Sequence, residues 1–494
     1  MTSTNRISTS PPRFTYRTIA ALLALCVVAT ACYDTDAWPT IHGDARNSDT
    51  APFPGHDDLD LVWDRDFPGA IAAAATIDGE GRVYVTATGT DPGCHLFAID
   101  LETGVDEWCT AEVNRWAVSS SVLIDIDGNL FVGDDEAMHS FDRDGNLRWE
   151  TPIVGAPISA QFLLNSHLIF VTHIGQVVVL DRANGTPIVP VFETLPGETY
   201  TVGDGLDGCL FGGPNCPSAN TLAVDMTTGR FYITLRPPGA NAAELRALQF
   251  DYDTNTISEL WSNATLGGGT ATSPVISPDG TRVYVNDNDG NFHALDALTG
   301  AVIWTVDMGF APAGSPSVDA TGRAMPAGAA GSELLALQDN GPSGTILWSD
   351  STLTNLGIPV QVDDDVVYAL VRRPATTLGV DILSVDGSTG AVHDREQLPS
   401  TPLATVGTSV SAEGRVVVVG LLGQVYAFDA ASTAGATVVP GQPAQSAPVE
   451  ESFDVDALLL AEGIEADIAE CVDAIDDLTF DITEDLWGCV STER

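Results

Sequence analysis

Ala98-Ile-Asp100-Leu-Glu-Thr103-Gly104-Val-Asp-Glu-Trp108 and Ala294-Leu-Asp296-Ala-Leu-Thr299-Gly300-Ala-Val-Ile-Trp304 follow one pattern, A-x-D-x-x-T-G-x-x-x-W. Apolar residues alternate before the Asp, as in a half-buried strand. The Asp carboxylate accepts backbone N–H groups inside a turn, and the Gly supplies the positive φ that the reversal needs. The Trp then falls on the return strand, where a large flat ring fills the space between neighbouring sheets. Asp142, Gly145 and Trp149 form a looser copy. Equivalent aspartates recur at Asp100, Asp142, Asp181, Asp251, Asp296, Asp339, Asp386 and Asp429, at intervals of 42, 39, 70, 45, 43, 47 and 43 residues. A period of about 40–45 residues is that of a four-stranded propeller blade.

A second hairpin signal precedes most copies, as in Asp78-Gly79-Glu80-Gly81-Arg82, Asp127-Gly128-Asn129, Asp279-Gly280-Thr281-Arg282 and Glu413-Gly414-Arg415. Each unit reads strand, turn, strand, short link, strand, Asp turn, strand. One such sheet cannot bury both its faces, but eight in a ring can. The predicted fold is therefore all-β: an eight-bladed β-propeller of four-stranded antiparallel blades over residues 59–436. Trp261 and Trp348 also stand at or near the return-strand position, whereas the copies at Asp181 and Asp386 carry Val189 and Asp394 there. The long interval holds an insertion, roughly Phe192 to Asn220. The last unit, Val425-Tyr-Ala-Phe-Asp429, lacks a Trp strand, and Leu59-Asp-Leu-Val-Trp63-Asp64 is a Trp strand without a unit. The latter is expected to complete the last blade and tie the chain ends together.

The repeat, together with the lead-in Trp38-Pro-Thr-Ile-His-Gly-Asp-Ala-Arg-Asn47, resembles the pyrroloquinoline quinone (PQQ) repeat of quinoprotein alcohol dehydrogenase-like propellers over about residues 38–436. That resemblance specifies the fold and leaves the function open, because such propellers include enzymes and binding scaffolds. The enzymes hold the quinone in the ring's channel. Alcohol-oxidising members place it beneath a disulfide of adjacent cysteines, above a Trp, beside calcium and an Asp base. No Cys-Cys pair exists here, and no quinone ligand carries over residue by residue. PQQ with calcium is thus the one cofactor candidate, and the expectation is no cofactor and no catalytic residue. BamB-like lipoproteins share the propeller and a lipid anchor and serve outer-membrane protein assembly. This implies a protein-interaction scaffold of the cell envelope. The alternatives are a PQQ-dependent oxidoreductase with a variant site and an extracellular ligand-binding or adhesion propeller.

The N-terminus reads as an export signal. Arg6, Arg13 and Arg17 precede an apolar run from Ile19 to Thr30, too short to span a bilayer as a mature helix. It ends in Ala29-Thr-Ala31-Cys32, which resembles a bacterial lipobox, so residues 1–31 are the expected signal and Cys32 the expected lipid-bearing residue. The competing reading is ordinary cleavage after Ala31. Residues 32–58 follow as anchor and lead-in. The expected location is the cell membrane or outer membrane, on the periplasmic or outer side, with membrane contact through the lipid alone and an envelope or extracellular protein as partner. Acidic residues number 68 against 20 basic ones, all Arg, for a formal charge of −48. Such a surface gains no counterion release from nucleic acid, which is excluded as a partner.

Beyond Cys26 and Cys32, six cysteines remain: Cys94, Cys109, Cys209, Cys216, Cys471 and Cys489. An even set in an exported chain reads as disulfides. The sequence leaves their connectivity open, while proximity favours three local pairs. No CxxC or CxxCH occurs, and the eight histidines form no zinc motif. Asp125 to Asn129, Asn286 to Asn291 and Asp363 to Asp365 offer oxygen ligands, yet they lie where turns are expected and lack the closing Glu of an EF-hand. Pro440 to Pro448 reads as part of a linker over 437–452. An acidic appendage over 453–494 follows, with helical spacing from Val455 to Leu478. It is either packed on the propeller or a tethered docking helix.

Overall fold

The computed structural model describes Tyr33 and residues 38–431, apart from 90–92, 166, 198–215, 219, 271, 329–330, 377, 401 and 403. The chain there forms eight sheets in sequence order. From the inner strand outward, blade 1 comprises Thr76–Ile77, Arg82–Thr86, Leu96–Asp100 and Asp106–Thr110. Blade 2 comprises Leu123–Ile124, Leu130–Gly133, Ala137–Phe141 and Leu147–Pro152, and blade 3 Pro157–Phe162, His167–Thr172, Gln176–Asp181 and Phe192–Glu193. Blade 4 comprises Ala223–Asp225, Arg230–Leu235, Ala242–Asp251 and Thr256–Gly267, and blade 5 Val275–Ile276, Arg282–Asn286, Asn291–Asp296 and Val302–Asp307. Blade 6 comprises Ser317–Val318, Arg323–Met325, Glu333–Asp339 and Gly344–Thr354, and blade 7 Val360–Asp363, Val366–Arg372, Val380–Asp386 and Val392–Gln397. In blade 8, Thr405–Val410, Val416–Gly420 and Gln424–Ala430 are completed by Leu59–Asp66. That strand pairs antiparallel with Gln424–Ala430 from Leu59↔Ala430 to Asp66↔Gln424, the closure expected from its Trp.

Second and third strands are buried nearly throughout, while outer strands alternate, as in Leu147–Pro152. Each apolar cluster spans adjacent blades. Phe131 and Met138 of blade 2 meet Phe162 and Phe170 of blade 3, and Tyr84 of blade 1 meets Leu130 of blade 2. Both faces of a sheet are covered only by its neighbours, so no blade has a core of its own.

The repeat motif sits at these joints. Asp100 Oδ1 accepts the Thr103 N–H at 2.8 Å and the Thr103 hydroxyl at 2.6 Å, and Asp296 does the same with Thr299. The Trp of one blade then reaches the next. Trp63 Nε1 donates to the Leu101 carbonyl, Trp108 to Arg143, Trp149 to Arg182 and Trp348 to Gly387, at 2.7–3.0 Å. Gly in the motif has two causes. At Gly145 φ is +82°, and a Cβ would stand 2.7 Å from the Trp108 ring of blade 1. Where Asp394 replaces Trp at the joint of blades 7 and 8, its carboxylate accepts the Leu59 N–H instead.

The segment read as a lead-in is part of the ring. Thr50–Pro54 adds a parallel fifth strand inside blade 7, and the residues before it bond in turn to inner strands of successive blades. The insertion begins after Phe192–Glu193, which is the outer strand of blade 3. Residues 1–32, most of the insertion, the linker and the acidic appendage lie outside the described residues, with Cys32, Cys209, Cys471 and Cys489 among them.

Gly145→Ala is expected to lose about 1–2 kcal/mol of stability to left-handed strain and about 1–3 kcal/mol more to overpacking against Trp108. Gly280 has φ +70° and nothing within 4 Å of its Cβ position, so Gly280→Ala should show the strain alone. Equal losses in urea denaturation would remove the Trp contact from the account. Deleting residues 59–66 should lower the melting temperature markedly, since blade 8 then has an open outer edge.

Candidate functional site

Eight inner strands leave their free edges facing the axis, and among the described residues the chain's own N-terminal segment pairs with six of them. Trp38 exchanges N–H and carbonyl bonds with Ile77 of blade 1. The carbonyls of Pro39, Ala45, Arg46, Ser48 and Asp49 accept N–H groups of Ile124, Val224, Ile276, Val318 and Gln361, in blades 2, 4, 5, 6 and 7. Blade 3 is reached by Tyr33, whose hydroxyl donates to Gln161 at 2.7 Å and accepts the Phe162 N–H at 3.1 Å. Asn47, in the left-handed region at φ 59°, bonds Gln161, the Thr221 carbonyl and the Pro274 carbonyl, joining blades 3, 4 and 5.

Beside it lies a Ser–His–Asp chain whose members no sequence motif connects. His42 Nδ1 is 2.8 Å from Asp49 Oδ2, and Nε2 is 3.0 Å from Ser273 Oγ. All three residues are buried, and burial pushes the Asp49 carboxyl above its ordinary value against the pull of His42. The Ser273 hydroxyl also accepts the Thr221 N–H, and the Ser273 N–H goes to Ser315 Oγ. This serine ties blades 4, 5 and 6 to the axial segment; it is not presented to a substrate.

Further hydroxyls complete a belt around the axis. Ser409 and Ser121 donate to the carbonyls of Ala75 and Ala74, and Thr221 to that of Ile158, each at 2.6 Å. Ser159 accepts the Ser121 N–H at 2.8 Å while its backbone is held at φ 72°. The quinone of the similar enzymes is a tricarboxylate and needs cations around it. This belt offers hydroxyls already bonded to carbonyls and N–H groups; Arg46 of the axial segment is paired with Asp44 at 2.8 Å, and other arginines are held at the blade joints. Arg143 pairs with Asp78 at 2.8 Å, Arg182 with Asp125 at 3.2 Å, and Arg323 with Asp365. Among the described residues, the hydroxyls of the belt do not fit the quinone.

The oxygen-rich segments serve as turns. Asp125 Oδ1 accepts the N–H groups of Asp127 and Asn129, Asp287 caps Asn291, and Asp364 and Asp365 are left-handed turn residues. Among the described residues no three His, Cys, Asp or Glu side chains gather as a metal site.

One face of the ring carries the turns that follow the inner and third strands. The opposite face carries the second-to-third turns and the links between blades. This loop face is braced from within. Asp134 accepts His139 Nε2 at 3.2 Å and the Asn114 N–H at 2.9 Å, and the Asn114 amide reaches Asp135. Asn114 also caps the 3-10 turn Arg115–Ser119, where Arg115 lies over the Trp116 ring. In blade 5, Asp287 accepts His293 Nε2 at 2.9 Å, and in blade 7 Asp381 takes both Arg373 and Arg395. Cys94 and Cys109 form a disulfide at the same end of blade 1, with Cα atoms 5.7 Å apart. Cys216, where the insertion returns to the described chain, is buried.

Burial pushes Asp134 and Asp287 up, but hydrogen bonds from His139 and His293 and from backbone N–H groups outweigh it and hold both below the ordinary 3.8. A depressed native value stabilises the fold above 3.8, and that contribution disappears as pH falls through the native values. Urea midpoints measured from about pH 5 to about pH 2 should therefore fall less steeply in Asp134→Asn and Asp287→Asn than in the parent. Parallel slopes would mean these pairs do not hold the loops.

The comparisons with known proteins agree with this architecture. Protein Rv3035 of Mycobacterium tuberculosis is 30% identical over 396 residues, 79% of this chain and 95% of its own length. The quinohemoprotein alcohol dehydrogenase of Comamonas testosteroni has the same fold, with a TM-score of 0.56, 15% identity and 86% of each chain covered. The quinohemoprotein alcohol dehydrogenase ADHIIG of Pseudomonas putida HK5 gives 0.55 and 14%, over 89% of this chain and 86% of its own. A family profile described as outer membrane protein assembly factor BamB, built on the PQQ-type repeat, matches residues 57–232 and 247–448, and the chain belongs to that family.

Proposed function

We propose that this protein is an exported, lipid-anchored scaffold of the cell envelope whose loop face binds a protein partner. The observation that carries this reading is the chain's own N-terminal segment lying against the inner strands. Residues 38–54 and the hydroxyl belt take up the position where a cofactor or substrate would enter, and they leave the rim loops as the surface for recognition. The family description supports an assembly role in the envelope. Braced loops also suit binding, because ordering costs are met before the partner arrives. The half-exposed Trp116 under Arg115 and the exposed Val154 and Leu378 supply apolar and aromatic contacts there.

Photo-crosslinking in the producing cell tests this reading. A crosslinker at Trp116 or Leu378 should give a discrete protein adduct, while one at Glu102, on the turn face, should give none. Adducts from Glu102 alone would reverse the assignment. Fatty-acid labelling should vanish in Cys32→Ser, and persistent labelling would remove the anchor. Calorimetric titration of the folded chain with PQQ and calcium should show no saturable binding; stoichiometric uptake would restore the oxidoreductase reading.

A further inference from the structure

The second position of the turn after each inner strand is held by Gly79, Ile126, Leu164, Met226, Pro278, Ala320, Asp364 and Ala412 in blades 1 to 8. Large flexible or branched apolar residues occupy it only in the consecutive blades 2, 3 and 4. Ile126 is 50% exposed, although nothing in the turn requires an aliphatic there: Asp125 and Asn129 make the capping bonds. Leu164 and Met226 are half-buried.

Tyr33 lies among these three turns. Its backbone forms a bridge with Asp125, its ring meets Phe162 edge-on at 5.0 Å, and its hydroxyl is bonded to blade 3. Met226 packs in the same two apolar clusters as Tyr33. Cys32, the expected lipid-bearing residue, immediately precedes Tyr33 in the sequence. A lipoprotein with a flexible leader of ~20 residues would ride about 25 Å from its lipid and turn freely. Here the leader has no length, because the first residue after the lipid is already docked on the ring.

We infer that the turns of blades 2 to 4, with Ile126, Leu164 and Met226 around Tyr33, are the surface that rests on the bilayer, and that the ring lies with its loop face outward. This rests on the anchored-scaffold reading and adds its orientation. The tether supplies the force. The exposed turn carboxylates Asp127 and Asp144 oppose approach to anionic headgroups, so the contact is with a zwitterionic lipid surface at which apolar tips enter the headgroup boundary.

The lipidated full chain, placed in phosphatidylcholine vesicles containing a nitroxide-bearing lipid, tests the orientation. A fluorophore is attached through Ile126→Cys, or through Leu422→Cys on the loop face of blade 8, where Leu422 is 47% exposed. The two faces stand about 20 Å apart, so quenching at 126 should exceed that at 422 by about fivefold or more. Equal quenching, or stronger quenching at 422, overturns the inference. Mass spectrometry of the N-terminal peptide separates the two claims. A Cys32 without diacylglycerol defeats the anchor, whereas a lipidated chain with equal quenching leaves the anchor and defeats the orientation. Ile126 and Leu422 are exposed turn residues, and a melting curve for each labelled protein shows that the fold survives labelling.

Discussion

Every inner strand of a propeller faces the axis with one unpaired edge, and the rest of this structure depends on how those edges are satisfied. A buried backbone donor left without a partner costs about 1–3 kcal/mol, and here the donors of Ile77, Ile124, Val224, Ile276, Val318 and Gln361 all point inward. One segment of the same chain accepts them in turn. Because Trp38 to Pro54 then leads into Leu59–Asp66, the strand that fills the axis and the strand that closes the rim are continuous. Loss of either would expose the other's partners, so axis and rim should open together.

The arginines follow from the same geometry. With no Lys and 68 acids, the chain has few cations, and most of those described lie between blades. Arg65 reaches the Gly104 carbonyl and Asp106, Arg415 reaches the Leu101 carbonyl and Glu102, and Arg282 reaches Asp339. At a joint, a planar guanidinium carried by one blade can bond a carbonyl and a carboxylate of the next at once, as Arg65 does with Gly104 and Asp106, which a point-like ammonium does poorly. Mutual repulsion of the outer carboxylates is offset where the blades touch, and the outer surface is left strongly acidic.

The repeat was legible because its bonds are local. Asp100 and Thr103 are three residues apart, and the Gly and Trp lie within the same 11-residue stretch, so one window of sequence carries turn, strand and joint together. The closing strand was legible by subtraction, from a unit lacking its Trp and a Trp lacking its unit. The axis was not. His42 and Ser273 are 231 residues apart, and although His42 stands inside the lead-in, no motif links it to Ser273. The belt has a faint trace in the Ser or Thr that stands shortly before or within most inner strands, as at Ser121, Thr221, Ser273 and Ser409. Such residues are too common to be singled out without the ring that brings them together. The Trp and Gly of the lead-in stand out in the sequence, but its physical task appears only when the inner strands of six blades converge on it.

That task bears on how the family's fold serves different ends. The belt and axial segment consume polar groups that a catalytic channel would turn toward a ligand, and they do so with short bonds, such as those of Ser121, Thr221 and Ser409 at 2.6 Å. Opening room for a ligand would leave those carbonyls and hydroxyls unpaired, so the interior resists conversion into a pocket. The loop-face links carry no such constraint. Their braces, Asp134 with His139 and Asp287 with His293, lie beneath the surface and leave the tips free to vary. On the scaffold reading proposed above, recognition falls to the loop face, because the axial segment is already committed to the edges of the inner strands.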